Sequence, residues 1–331
     1  MALRVVTLVA LLATSSIILS YNGVYGGRTT LTMEEEDVEL ERQLKRMNKP
    51  AVKSIKTDNG ETYDCVDFYK QPAFDNPLLK NHIPEMSSSV QRETPKEVFS
   101  GAEQPDLRLD GGGCPLGTVP IRRTTKEDLI RWKSYSKPSG NFHQFLNMAP
   151  GYKADDSQRT GCFNAICNGF IQVNREVPIG VAFPKTSTYG GEILDLATYL
   201  FQDHNSGNWW VSAGLNITNI GYWPRELFNS IKESAPVVGW RAEVYAPQGE
   251  KTPPMGTGRY RYRFPYDRYP DYKTTAYFRA VRVNGEDNIG RGPNDKSLQL
   301  VRDGKNCYVV HDFPYIDDHY RHTFFYGGSG C

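Results

Sequence analysis

The sequence predicts a mainly β protein, an antiparallel sandwich or barrel, with a small α+β segment ahead of it. Three observations carry that expectation. Eight short runs in the second half, at 169–174, 177–183, 194–201, 208–213, 237–245, 275–283, 307–311 and 322–326, are rich in the β-branched and aromatic residues that suit strands. Clusters of Gly, Pro, Asn and Asp separate them, as turns require. The 331 residues include 20 Tyr and 15 Phe beside 30 Gly and 21 Pro, a composition of aromatic strands and turns. One helix is expected in this half, over 224–234, with Pro224 at its start and Leu227, Phe228 and Ile231 on one face.

The ends set the compartment. A basic start at Arg4 precedes an apolar run from Val5 to Leu19, and Val24-Tyr25-Gly26 offers a cleavage site, the pattern of a secretory leader over residues 1–26. The run is shorter than the ~20 residues that span a bilayer, so a leader is expected rather than an anchor. Six cysteines in an oxidising compartment point to disulfides. Spacing leaves their pairing open, and three local pairs are the economical arrangement: Cys65 with Cys114, Cys162 with Cys167, and Cys307 with Cys331. Asn216-Ile217-Thr218 is a candidate glycan acceptor at the surface. The 39 basic and 38 acidic residues balance, which gives no global field for nucleic acid or membrane.

In the first half, Glu34, Glu35, Glu36 and Asp37 stand ahead of Arg42, Lys45 and Arg46, an order that suits a helix dipole. Met33, Leu40, Leu44 and Met47 recur at helical spacing. A hairpin is expected over 53–66, turning at Asp58-Asn59-Gly60. Residues 87–104 are polar and aperiodic, so loop is expected. Thr124 and Glu127 have the spacing of a capping box that opens a short helix to Trp132. The Ser/Pro/Gly/Asn-rich stretch 134–150 reads as a linker.

Several sequence words together resemble the neprosin family, plant secreted prolyl endopeptidases of the glutamic type. In the first half they are Cys65 with Gln71-Pro72-Ala73-Phe74-Asp75-Asn76-Pro77, and Cys114-Pro115 with Pro120-Ile121-Arg122-Arg123-Thr124. In the second they are Thr160-Gly161-Cys162-Phe163-Asn164, Cys167-Asn168-Gly169-Phe170-Ile171-Gln172, Asn208-Trp209-Trp210 and Ile220-Gly221-Tyr222-Trp223-Pro224. Met255-Gly256-Thr257-Gly258 and Phe325-Tyr326-Gly327-Gly328-Ser329-Gly330 complete the set. The resemblance implies an activation-peptide-like segment over 27–138 and a catalytic-type domain over 139–331. It also implies a sandwich of two antiparallel sheets, removal of the propeptide at acid pH, the three local disulfides, and cleavage after proline by a pair of glutamates with no cofactor.

In such a pair, one carboxylate takes a proton from water while the other, kept protonated by its neighbour, acts as acid. One family position corresponds to Glu243 in Trp240-Arg241-Ala242-Glu243-Val244, where Arg241 and Ala242 replace two glycines. The segment of the second glutamate has no counterpart: residues 133–159 contain no Glu. The first strands of the catalytic domain are therefore expected to be missing, its edges exposed, and the chain inactive as a peptidase. A different class of reading is a non-catalytic secreted β module that binds proline-rich or polysaccharide cell-wall material. The implied partners are proline-containing peptides or wall material, with no nucleic acid and no membrane after leader removal. The implied place is extracellular or cell wall, with the vacuole as a further destination.

Other constellations are weaker. His311, Asp312, Asp317, Asp318, His319 and His322 are near in sequence, but strand alternation sends His319 and His322 to opposite faces, against a metal site. The basic-aromatic run from Arg259 to Tyr266 is expected to be an exposed loop, with substrate or wall contact the next reading. Trp209, Trp210 and Trp223 are expected in the core.

Overall fold

The computed structural model describes residues 33–90, 104–135, 168–214, 216–242, 244, 246, 249–260, 266–268, 270–285, 289–302 and 307–331. The chain forms two bodies, divided between Gln43 and Leu44. The first is represented by the start of helix α1 (Met33–Met47), where Glu39 accepts hydrogen bonds from Arg42 at 2.7 Å and from Gln43 at 3.1 Å. The basic residues Lys45 and Arg46 occupy the last turn, as the charge order predicts.

The second body begins with a three-stranded antiparallel sheet, β1 (Ala51–Lys56), β2 (Thr62–Asp67) and β3 (Thr118–Arg122), with β2 in the middle. Its hairpin turns where expected. Gly60 stands at φ 81°, and Thr57 N–H donates to the Glu61 carbonyl across the turn at 3.0 Å. Pro120 is confined to the edge strand, where a missing N–H costs no ladder bond. The paired arginines part company: Arg122 binds Glu61 and Asp128, and Arg123 binds Asp64. Cys65 and Cys114 are joined, at a Cα separation of 5.4 Å.

Helix α2 (Lys126–Tyr135) starts one residue later than its expected cap. Thr125, not Thr124, closes the box, since Thr125 Oγ1 accepts from Asp128 N–H at 3.2 Å and Asp128 accepts from Thr125 N–H at 3.0 Å. Thr124 N–H is taken by the Asn48 side chain instead, at 2.9 Å. The helix also runs through Ser134 and Tyr135, into the stretch expected to be linker, and the remainder, 136–150, lies outside the described residues.

A four-stranded antiparallel sheet follows, in the order β4 (Ile171–Gln172), β7 (Thr218–Trp223), β6 (Trp209–Ala213), β5 (Thr198–Gln202). Strand β7 has no counterpart in the sequence reading, because Asn219, Gly221 and Pro224 are turn-type residues. Gly221 is required by close approach: a Cβ there would lie 2.2 Å from the Ile171 carbonyl oxygen. The strand expected over 177–183 does not form. Its backbone is held by side chains, with Val177 N–H donating to Asn174 Oδ1 at 2.8 Å and Gln172 Nε2 donating to the Val177 carbonyl at 2.8 Å. The helix expected over 224–234 shrinks to one 3-10 turn, Arg225–Leu227. The end of that run is tied to the sheet by side chains instead: Trp209 Nε1 donates to Ile231 O at 2.9 Å, and Gln202 Nε2 to Lys232 O at 2.7 Å.

The C-terminal part holds a three-stranded antiparallel sheet, β11 (Val309–Phe313), β12 (Thr323–Gly327) and β8 (Ala276–Phe278), and a small pair, β9 (Val283–Asn284) with β10 (Gly290–Arg291). The run 275–283 is thus split between β8 and β9, and the described residues of 237–245 form no strand. Two distant sequence words meet here, since Met255 N–H donates to the Gly328 carbonyl at 2.9 Å. Cys307 and Cys331 are joined; Cys162 and Cys167 lie outside the described residues.

The main core crosses the halves of the sequence. Phe68, Ala73, Leu79 and Val119 from the first half pack with Ile171, Phe201, Trp210 and Tyr222 from the four-stranded sheet. Trp210 is fully buried and its ring lies 4.6 Å from that of Tyr222 on the neighbouring strand. Trp210→Ala is expected to lower stability by about 3–5 kcal/mol, read as a shift in the urea midpoint at unchanged slope. Trp209 and Trp223, expected in the core beside it, are only half-buried.

Candidate functional site

Two regions bear on function: the seam between the first half and the four-stranded sheet, and a groove on the far side of strand β5.

The seam is built from polar side chains aimed at backbone. Gln71 is buried and acts as a short extra strand against the outer edge of β4. Its Oε1 accepts from Gln172 N–H at 2.8 Å, and its Nε2 donates to the carbonyls of Gln172 at 3.2 Å and Phe68 at 2.9 Å. Asn76 Nδ2 donates to the Asn168 carbonyl at 2.8 Å. The Gly-rich loop joins the same seam, with Cys114 N–H donating to Arg175 O at 2.8 Å and Leu109 N–H to Glu176 O at 2.8 Å. Tyr222 presents its hydroxyl to His82 Nε2 at 2.9 Å and accepts from Glu85 N–H at 2.8 Å, while burial pushes its phenol pKa up.

Asp203, in the turn between β5 and β6, accepts from Ser89 Oγ at 2.6 Å, Ser89 N–H at 2.5 Å and Asn205 N–H at 2.9 Å. Burial alone would raise its pKa. The hydrogen bonds outweigh burial and hold the carboxyl below its ordinary 3.8. A depressed carboxyl pKa contributes stability that is present above the unfolded value and is lost as pH falls through the folded one. This tie therefore weakens only in strong acid.

The groove has a volume of about 2420 Å³ and is lined by Tyr199, Leu200, Trp240, Arg241, Phe278 and Tyr326, among others. A drug-sized ligand fills only ~300–1,000 Å³, so this space suits a polymer chain better than a small molecule. Its floor is pinned by Asp195, which accepts from Tyr277 Oη at 2.6 Å and is ion-paired with the buried Arg279. Burial, reinforced by the Asp195 contact, raises the Tyr277 phenol pKa. Trp240 packs its ring 5.6 Å from that of Phe324.

Glu243, the expected catalytic residue, lies outside the described residues, but Trp240 and Arg241 immediately before it line the groove. Arg241 is thus placed at the groove wall. Asn216, the candidate glycan acceptor, is exposed at the turn between β6 and β7.

Comparison with protein-family models completes the site. Residues 135–329 match the neprosin model, and residues 54–166 match the neprosin activation peptide. The chain belongs to the neprosin family. Its activation peptide precedes its catalytic-type domain, and the neprosin matches overlap over 135–166, of which only Tyr135 is among the described residues. In this neprosin-family chain the seam is the meeting of activation peptide and catalytic-type sheet, and the groove is lined mostly by the catalytic-type half, with Asn76 and Val90 of the activation peptide also on it.

The remaining constellations have structural partners. His322 Nε2 meets Asp312 Oδ1 at 2.6 Å, and Tyr260 Oη meets His311 Nδ1 at 2.5 Å. His319 sits in a turn rather than a strand. Among the described residues no group of three or more His, Cys, Asp and Glu is arranged to hold a metal ion. Tyr260 packs against the cluster of Ile316, Tyr320 and Phe325, while Arg259 and Tyr266 at the ends of the basic-aromatic run are exposed, and 261–265 lie outside the described residues. No helix of the described residues is long and apolar enough to cross a membrane. Sequence reasoning missed Ser89, His82 and Asp203 altogether. Gln71, Gln172 and Tyr222 stand out in the sequence only as members of family words, because nothing local says which distant backbone a buried amide will pair with.

Proposed function

We propose that this chain is a secreted, zymogen-type member of the glutamic prolyl endopeptidase family that receives proline-containing peptide in its groove but does not turn it over. The observation that carries this reading is the pairing of a polymer-sized groove in the catalytic-type half with a single recognisable glutamate position, Glu243. Catalysis by two carboxyls needs one to ionise and its neighbour to stay protonated. Residues 133–159, where the partner belongs by resemblance, hold Asp155 and Asp156 but no Glu. Arg241 at the groove wall fits the same reading, since a guanidinium beside Glu243 would favour its ionised form and remove the proton sharing that the pair requires.

The activation peptide fits a zymogen arrangement. It contributes half of the main core, so its release exposes Ile171, Phe201, Trp210 and Tyr222.

The test is a purified, acid-treated sample offered a Pro-X reporter peptide. No cleavage is expected above a Glu243→Gln control, while the uncleaved peptide is retained. Cleavage that disappears in Glu243→Gln would overturn the reading in favour of a working peptidase. Retention on a wall polysaccharide and not on the peptide would favour the wall-binding module.

A further inference from the structure

A propeptide that departs must leave behind a body with a core of its own, across the more polar kind of contact that separable domains make. The four-stranded sheet is held differently. Ile171, Tyr222, Trp210 and Phe201 stand directly opposite one another across its four strands and form one buried row. Phe68, Ala73, Leu79 and Val119 of the activation peptide pack on that row. Side chains alternate along a strand, so Val211 and Ala213 of β6 point to the opposite face from Trp210. On that face Leu107, also of the activation peptide, joins Phe170, Val177 and Ala213 in a second buried cluster.

One edge completes the grip, where Gln71 pairs with the backbone of Gln172 in β4. The activation peptide therefore holds both faces and an edge of the same sheet. Removing it would bare apolar side chains on two faces at once and leave the Gln172 N–H and C=O without partners. Further ties carry no group that titrates in mild acid: Tyr63 O–H donates to Gly180 O at 3.3 Å, Arg175 Nη1 to Cys114 O at 2.9 Å, and Asn76 Nδ2 to Asn168 O at 2.8 Å. The groups at the seam that do titrate are His82 beside Tyr222 and Glu226, Glu85 beside Ser206, and Asp203 beside Ser89. The apolar clusters and the amide ties hold without them.

We infer that the activation peptide is a permanent part of the folded protein, and that a chain cut between its two parts stays assembled as a two-piece complex. The groove is then presented by the assembly, with Asn76 and Val90 of the activation peptide on its wall. The inference does not depend on whether the groove binds or cleaves peptide.

The test is made on the purified full chain, with a site for a sequence-specific protease inserted between Tyr135 and Cys162. After cutting, size-exclusion chromatography is expected to give one species containing both pieces, at neutral pH and at about pH 4, where histidine is charged. A non-reducing denaturing gel of the same sample should show two pieces, because Cys65–Cys114 and Cys307–Cys331 each lie within one of them. Leu79→Ala and Leu107→Ala, one on each face, should each weaken the cut complex by about 30-fold or more. Leu116→Ala, at an exposed residue of the turn before β3, should leave it unchanged. Each variant is purified uncut, so dissociation on cutting is read against an intact chain. Pieces that elute apart at either pH, whether the catalytic-type half then stays folded or precipitates, would overturn the inference. So would a cut complex indifferent to both leucine changes.

Discussion

Gln71→Ala is expected to destabilise the folded chain by about 2–6 kcal/mol, because it strands the N–H and C=O of Gln172 at a buried edge and each such group costs about 1–3 kcal/mol. The loss is specific to the seam. No charge is removed from the surface, and the cavity left by a glutamine is small beside the loss of hydrogen-bond partners. Urea unfolding measures the total. Limited proteolysis measures where it is spent: the first cuts should fall in 54–90, the segment that Gln71, Asn76 and His82 hold against the sheet. A glutamate at the same position separates hydrogen bonding from packing. Gln71→Glu keeps the volume but turns the donor that faces the Phe68 and Gln172 carbonyls into a third acceptor. Burial and those carbonyls raise the new carboxyl's pKa above its unfolded value of about 4.3. Its folded form is therefore least unstable below that value and loses stability as pH rises through the folded pKa. Gln71→Ala shows no such dependence. Equal denaturation midpoints for wild type and Gln71→Ala would mean that the amide is not what holds the edge.

Gly113→Ala should be comparably damaging, for a different reason. Gly113 sits at φ 75°, ψ −149°, a region only glycine occupies comfortably. A Cβ there would lie 2.4 Å from the Arg175 carbonyl oxygen, which is the acceptor for Cys114 N–H. Backbone strain costs about 1–3 kcal/mol, and forcing the loop off the sheet adds about 1–3 kcal/mol of misfit. The neighbouring disulfide supplies a second readout, since Cys114 is carried by the displaced loop. The variant should show a lower thermal midpoint and faster reduction of Cys65–Cys114 by dithiothreitol. Gly112→Ala is the control: its φ is 77°, but a Cβ there meets nothing within 4 Å, so it should pay strain alone. Equal effects of the two changes would show that the close approach to Arg175 carries no weight.

Local chemistry was legible and long-range pairing was not. The hairpin over β1 and β2 follows from Asp58-Asn59-Gly60, and the start of α2 was found within one residue, because turns and caps are settled by neighbours in sequence. Strand β7 was hidden by its own residues. Gly221 looks like a breaker until the Ile171 carbonyl is seen beside it, and Asn219 looks like loop until it is seen opposite Ser212 across the bulge. The apolar run at 177–183 misled for the converse reason. Its side chains fill the core while Gln172 and Asn174 take its backbone, and periodicity reports the first fact and not the second. The site divides in the same way. The groove's walls come from residues between Asn76 and Tyr326, far apart in sequence, and no local pattern marks them as a unit.

By itself the sequence determined the family and the β-rich class, since both are carried by words of neighbouring residues. Tertiary structure alone decided that the activation peptide shares its core with the four-stranded sheet, that a buried glutamine side chain does the work of a strand, and that β5 and residues 237–241 line one groove. The reason is that hydrophobic burial and backbone hydrogen bonding accept any partner of the right shape. A sequence states what must be buried and paired, and only the packed chain states by what.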